Sequence, residues 1–199
     1  MKTLDLFVVE LESQMNDTIK TDGGLELYVD TKFNEFDYRV TEGPVVCAPL
    51  KYNTGVEEGD TLYFHHHVVL NDGQALTGDS NHYIVRFSPD YTHGNQAIAY
   101  KSKKDGVVRP MAGWALLEAA EEEDDARSEI IEVVVLNKDL PRRGVVSFDA
   151  PWLEEIDVKK GDVVGFRKNA DYRITIDGKE YFRTRIEDLF YVEEEVHND

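Results

Sequence analysis

The stretch GVEEGDTLYF (residues 55–64) returns in altered form as DVKKGDVVGF (157–166). Both place Val, two charged residues and Gly-Asp ahead of a short apolar run that ends in Phe. Gly59 and Gly161 lie 102 positions apart, as do Phe64 and Phe166. Working outward, EGPVVCAP (42–49) resembles RGVVSFDAP (143–151), and NHYIVRF (81–87) resembles KEYFRTR (179–185). LFVVELE (6–12) resembles WALLEAA (114–120). Four matched blocks in the same order point to two tandem copies of one unit. The junction falls in KSKKDGVVRPMAG (101–113), which is basic and contains Gly and Pro. The halves are assigned as 1–104 and 105–199.

Each half reads mainly as strand. The apolar runs are short, rich in Val, Ile, Tyr and Phe, and bounded by Gly, Asp, Asn or Pro. YRITIDGKEYFRTRI (172–186) predicts a hairpin turning at Asp177-Gly178. The acidic run that follows WALLEAA lacks an apolar stripe at helical spacing and reads as loop. About five short strands per unit predicts an all-β chain of two small barrels, whose closure hides strand edges. Val45, Val46, Leu62, Phe64, Val145, Val146, Val163 and Phe166 are the expected core.

The chain has 199 residues, 41% of them hydrophobic, enough for packed cores. Its net charge of −18 argues against nucleic-acid binding, which relies on Lys and Arg neutralising phosphates, and against docking on anionic membranes. No apolar run approaches the roughly 20 residues that span a bilayer. MKTLDLFVVELES carries acids within its apolar part and reads as a strand, not a signal peptide. With Cys47 as its only cysteine, the chain is expected in the cytoplasm, with Cys47 a small strand residue.

Taken together, RPMAGWALLE, RRGVVSF, VKKGDVVGF and IDGKEYFRTRIEDLFYVEE resemble a co-chaperonin subunit of the GroES type over nearly the whole second half. DLFVVELE, DGGLELY, EGPVV, VEEGDTLYF and NHYIVRF carry the same resemblance, more divergently, in the first. The resemblance implies two tandem GroES-like barrels with long mobile loops. It also implies a homo-oligomeric ring that caps the cavity of a GroEL-type chaperonin by binding its apical domains. Gly23, Gly24, Leu25, Glu26 and Leu27 occupy the position of the family's chaperonin-binding loop, although Glu26 interrupts a tripeptide that is apolar in that family. Ile130, Ile131 and Val133 are candidates for a second loop. Either loop can also be read as a surface connection folded back on its barrel. The resemblance further implies that DLFVVELE and LFYVEEE are the edge strands that pair between neighbours. The segment LKYNTGVEE (50–58) is short, which implies a reduced roof, as in phage-encoded co-chaperonins. The host cytoplasm would then be the compartment. Double-domain forms also occur in chloroplasts, but no Ser/Arg-rich transit peptide is present.

Neither an enzyme nor a cofactor is expected. The 40 Asp and Glu define no acid/base pair, and nucleophile-elbow and Walker motifs are missing. In FHHHVV, a strand would put His65 and His67 on one face and His66 on the other, so no metal site is expected. The competing assignment is a phage head or tail protein that uses the same barrels as assembly modules.

Overall fold

A computed structural model of the chain describes residues 2–20, 23–31, 35–69, 81–89, 95–120, 142–168, 170 and 172–193. The chain divides into two compact units, Met1–Ala112 and Gly113–Asp199. The first contains β1 (Leu6–Glu10), β2 (Thr18–Lys20), β3 (Glu26–Tyr28), β4 (Glu42–Cys47), β5 (Thr61–Phe64), β6 (His82–Arg86), β7 (Ala97–Lys101) and β8 (Val108–Pro110). The second contains β9 (Trp114–Ala119), β10 (Arg142–Val146), β11 (Val163–Phe166), β12 (Tyr172–Ile176), β13 (Lys179–Arg185) and β14 (Leu189–Val192). Among the described residues, helix is confined to short turns, including α1 (Glu35–Tyr38) and α2 (Pro151–Glu154).

Each unit is built on one six-stranded antiparallel sheet, ordered β6-β1-β4-β5-β7-β8 in the first and β12-β13-β9-β10-β11-β14 in the second. Five neighbouring strands therefore share one order, with β6, β1, β4, β5 and β7 corresponding to β13, β9, β10, β11 and β14. The likeness extends to individual hydrogen bonds. Val45 N–H donates to Asp60 C=O at 2.8 Å, and Val146 N–H to Asp162 C=O at 2.9 Å. Gly59 N–H reaches Val45 C=O at 2.8 Å, and Gly161 N–H reaches Val146 C=O at 2.8 Å. Both glycines have positive φ, 87° and 97°, where a Cβ would be strained. One Asp oxygen then closes each turn, accepting Glu57 N–H in the first unit and Lys159 N–H in the second, both at 2.8 Å.

The register explains which side chains correspond. Val45 pairs with Val9, and Val146 with Leu117. Gly43 faces Leu62 and Gly144 faces Val164, all four buried or closely covered. The last step of each ladder slips at the same place, between Tyr63 and Phe64 and between Gly165 and Phe166. Across that ladder the large and small partners are exchanged. Tyr63 faces Ala99 in the first unit, whereas Gly165 faces Tyr191 in the second. A Cβ on Gly165 would overlap the Tyr191 ring, so the two copies make opposite choices at this pair, with Tyr63 buried and Tyr191 left exposed.

Several expectations need correction. The unit boundary lies after Ala112, because β8 pairs with β7 and residues 105–112 belong to the first unit. The basic stretch that reads as a linker is a hairpin turn. There Arg109 pairs with Asp105 at 2.6 Å and holds its carboxyl down to about 2, while Asp105 also accepts Val107 N–H at 2.9 Å. Val46, Val145 and Val163 are only half-buried, since alternation turns them away from the core; Val164 is the fully buried residue. DLFVVELE is no edge, because β1 is paired on both sides, by β6 and β4. The match between NHYIVRF and KEYFRTR slips by one. Tyr83 pairs with Val9 and Phe182 with Leu117, so Tyr83 corresponds to Phe182 and not to Tyr181. That slip sets Arg183 where the first unit has Ile84. Arg183 is buried over the Trp114 and Tyr172 rings, and desolvation lowers its pKa to about 10.

Other expectations hold. The Asp177-Gly178 hairpin forms with both residues at positive φ, 51° and 77°. Cys47 ends β4 and is buried. Closure into barrels, by contrast, is not shown: among the described residues, no ladder joins the two outer strands of either sheet. Among those residues, no helix is long and apolar enough to cross a membrane.

Close approach at the paired glycines makes a sharp expectation. A Cβ at Gly144 would stand 2.9 Å from Leu117 Cβ, an atom fixed by its own backbone. At Gly43 the nearest obstruction is Leu11 Cδ2, at 2.5 Å, the end of a buried side chain, with Glu10 C=O at 3.0 Å and Val9 Cβ farther off at 3.7 Å. Gly144→Ala is expected to destabilise the second unit by about 1–3 kcal/mol, and Gly43→Ala to cost the first unit less. Calorimetry of the two variants checks the order. Equal losses would mean that strand spacing at these crossings is not limiting.

Candidate functional site

Between β1 and β4 the chain leaves the main sheet and forms a separate two-stranded hairpin. Thr18 faces Tyr28, Ile19 faces Leu27 and Lys20 faces Glu26. Val29 N–H adds a bond to Asp17 C=O at 2.8 Å. The stem is held below. Asn16 N–H donates to Tyr38 C=O at 2.6 Å, Val40 N–H to Gln14 C=O at 3.0 Å, and Met15 bridges Arg39. The described ladders join β2 and β3 only to each other.

All five residues singled out in the first half lie at this tip. Gly23 and Gly24 lie between the two strands, and Gly24 has φ of 76°, which favours glycine. Leu25 is 62% exposed and Leu27 46%. Glu26 is exposed beside them. The segment is therefore not an irregular loop. The alternation Leu25, Leu27, Val29 opposite Ile19 is the period-2 pattern of a strand pair. Tyr28, 80% exposed, alternates to the opposite face of the same hairpin and is the residue that the family-based reading missed; the ELY alternation was the available signal. Ile130, Ile131 and Val133 lie outside the described residues.

A second cluster sits at the end of β5. Instead of continuing as a strand, the chain winds into a 3-10 turn over His66–Val69. The strand alternation expected for FHHHVV therefore fails, and all three imidazoles converge. Ring centroids are 4.3 Å apart for His65–His66 and for His65–His67, and 4.4 Å for His66–His67. His65 Nδ1 accepts His67 N–H at 3.2 Å, acting as a cap for the turn. The missed signal was the pair Val68-Val69, both buried, which pulls the backbone inward.

No protein-family model matches the chain, and no curated protein matches it.

Leu25 and Leu27 present apolar area to solvent, so removing it should leave the fold intact. Leu25→Ser with Leu27→Ser is expected to change unfolding free energy by no more than about 1 kcal/mol in total, as for surface sites. A loss of about 2–5 kcal/mol, the range for buried leucines, would show that the hairpin packs against the protein. Urea denaturation distinguishes the two.

Proposed function

We propose that this chain is a non-enzymatic protein-binding module of the GroES co-chaperonin type. Its two units would be small GroES-like barrels, and an oligomer of them would serve as a lid over a chaperonin cavity. The observation that carries this reading is the exposed β2–β3 hairpin, which offers Leu25, Leu27 and Tyr28 from a pinned stem in the connection between β1 and β4. An extended arm with an apolar tip suits an apolar groove on a partner. Each leucine contributes roughly 1.5–3 kcal/mol if fully buried there. Association and ordering costs consume much of that, so one arm binds weakly and reversibly. A ring of arms recovers strength through effective concentration. ATP chemistry would belong to the partner.

Assembly has its own support. In the first unit β8 covers the outer side of β7. The corresponding strand of the second unit, β14, ends the described sheet, and Phe190, Tyr191 and Val192 are partly exposed along it. An open edge of this kind pairs with another chain. The same edge favours the second reading, a virion structural protein, in which self-assembly is the whole function.

Two measurements test these readings. Capture by a GroEL-type chaperonin in the presence of nucleotide is expected for the intact chain. It should fall at least tenfold for the Leu25→Ser, Leu27→Ser double variant. Equal capture of both forms, or none of either, would overturn the lid assignment. For assembly, Phe190→Lys with Val192→Lys is expected to reduce the mass seen by light scattering while the melting temperature stays within a few degrees. An unchanged oligomer would remove β14 from the interface.

A further inference from the structure

The geometry points to a site for one divalent transition metal of the zinc, nickel or copper class, formed by His65, His66 and His67. One ligand atom from each of the three lies within 4.8 Å of the others. In tetrahedral coordination at 2.0–2.1 Å, imidazole nitrogens stand about 3.3 Å apart. Small side-chain rotations close the difference, and the setting permits them. His65 and His66 are half-buried and His67 is exposed.

The backbone of the trio is already fixed. His65 N–H donates to Gln96 C=O at 2.9 Å, and Val68 N–H to His65 C=O at 2.9 Å. Buried Val68 and Val69 anchor the following residues. Ligand positions held by strand pairing on one side and a buried turn on the other lose little freedom on binding. Ligation through His65 Nδ1 would replace its long bond from His67 N–H with a metal bond. His66 packs edge-on against Phe36 with ring centroids 5.5 Å apart, and Arg39 lies 4.6 Å from the Phe36 centroid. Arg39 is itself paired through Nη2 with Glu35 at 2.9 Å, although its buried Nη1 has no hydrogen-bond partner among the described residues. The chain's net charge of −18 raises the local concentration of cations.

The donor set selects the ion. Imidazoles suit zinc, copper and nickel, whereas calcium and magnesium require oxygen ligands. Three protein nitrogens leave a fourth position for water or for a ligand from another molecule.

Titration calorimetry of the chelator-stripped full chain with Zn²⁺ tests the site, backed by electron paramagnetic resonance with Cu²⁺. One tight ion per chain is expected, with nitrogen hyperfine structure on the copper signal. Affinity should fall at least tenfold in His66→Gln and in the His65→Gln, His67→Gln pair, and should not change in His82→Gln. Metal-free melting curves of the variants should match the parent, separating ligand loss from misfolding. Absence of saturable binding, undiminished binding in the variants or oxygen-only copper ligation would each overturn the assignment.

Discussion

A single turn governs both units. Asp60 and Asp162 each hold a positive-φ glycine and the start of a core strand in place through one carboxylate oxygen. In the first unit the other oxygen of Asp60 also accepts Lys103 N–H at 2.8 Å, tying the turn to the hairpin that brings in β8. Asp60 is buried, and hydrogen bonds to a charged acceptor are worth about 1.5–3 kcal/mol each. Without this lock the Val45–Leu62 and Val146–Val164 layers lose the register that buries them. A one-residue slip would turn every apolar side chain outward.

The duplication was legible because the turn constrains sequence so tightly. Gly59 and Gly161 cannot be replaced without strain, the following Asp is needed for its oxygen, and Phe64 and Phe166 plug the core. Positions with looser demands were harder to read. Tyr63–Ala99 and Gly165–Tyr191 occupy equivalent pairs with large and small residues reversed, and letter matching cannot see such an exchange. Arg183 in place of Ile84 hides a register step for the same reason. The boundary was misplaced because a charged Gly-containing turn and a linker share a composition. Only the Arg109–Asp105 pair and the β7–β8 ladder tell them apart.

The two surfaces differ in how they could be read. At the hairpin, Gly23-Gly24 and the alternate leucines announced an exposed apolar tip, while its strand pairing required Ile19 to be read against Leu27. At the histidines, strand propensity gave the wrong face for His66. The 3-10 turn is driven by burial of Val68 and Val69, and this tertiary demand overrides local alternation. Both surfaces lie in or beside connections and not on core strands, so the roles proposed for them would be mounted on a rigid frame. A two-stranded hairpin is marginal by itself, so under the proposed lid reading its order would change on binding while the sheets stay as they are.

Hydrogen exchange of the intact chain, with and without a GroEL-type chaperonin and nucleotide, tests that claim most directly. The amides of residues 18–29 should exchange faster than those of β1, β4 and β5 in the free protein, and slow markedly once the chaperonin is added, with the sheet amides unchanged. Slow exchange of 18–29 in the free protein, or chaperonin-induced protection that falls elsewhere and leaves the hairpin untouched, would contradict it.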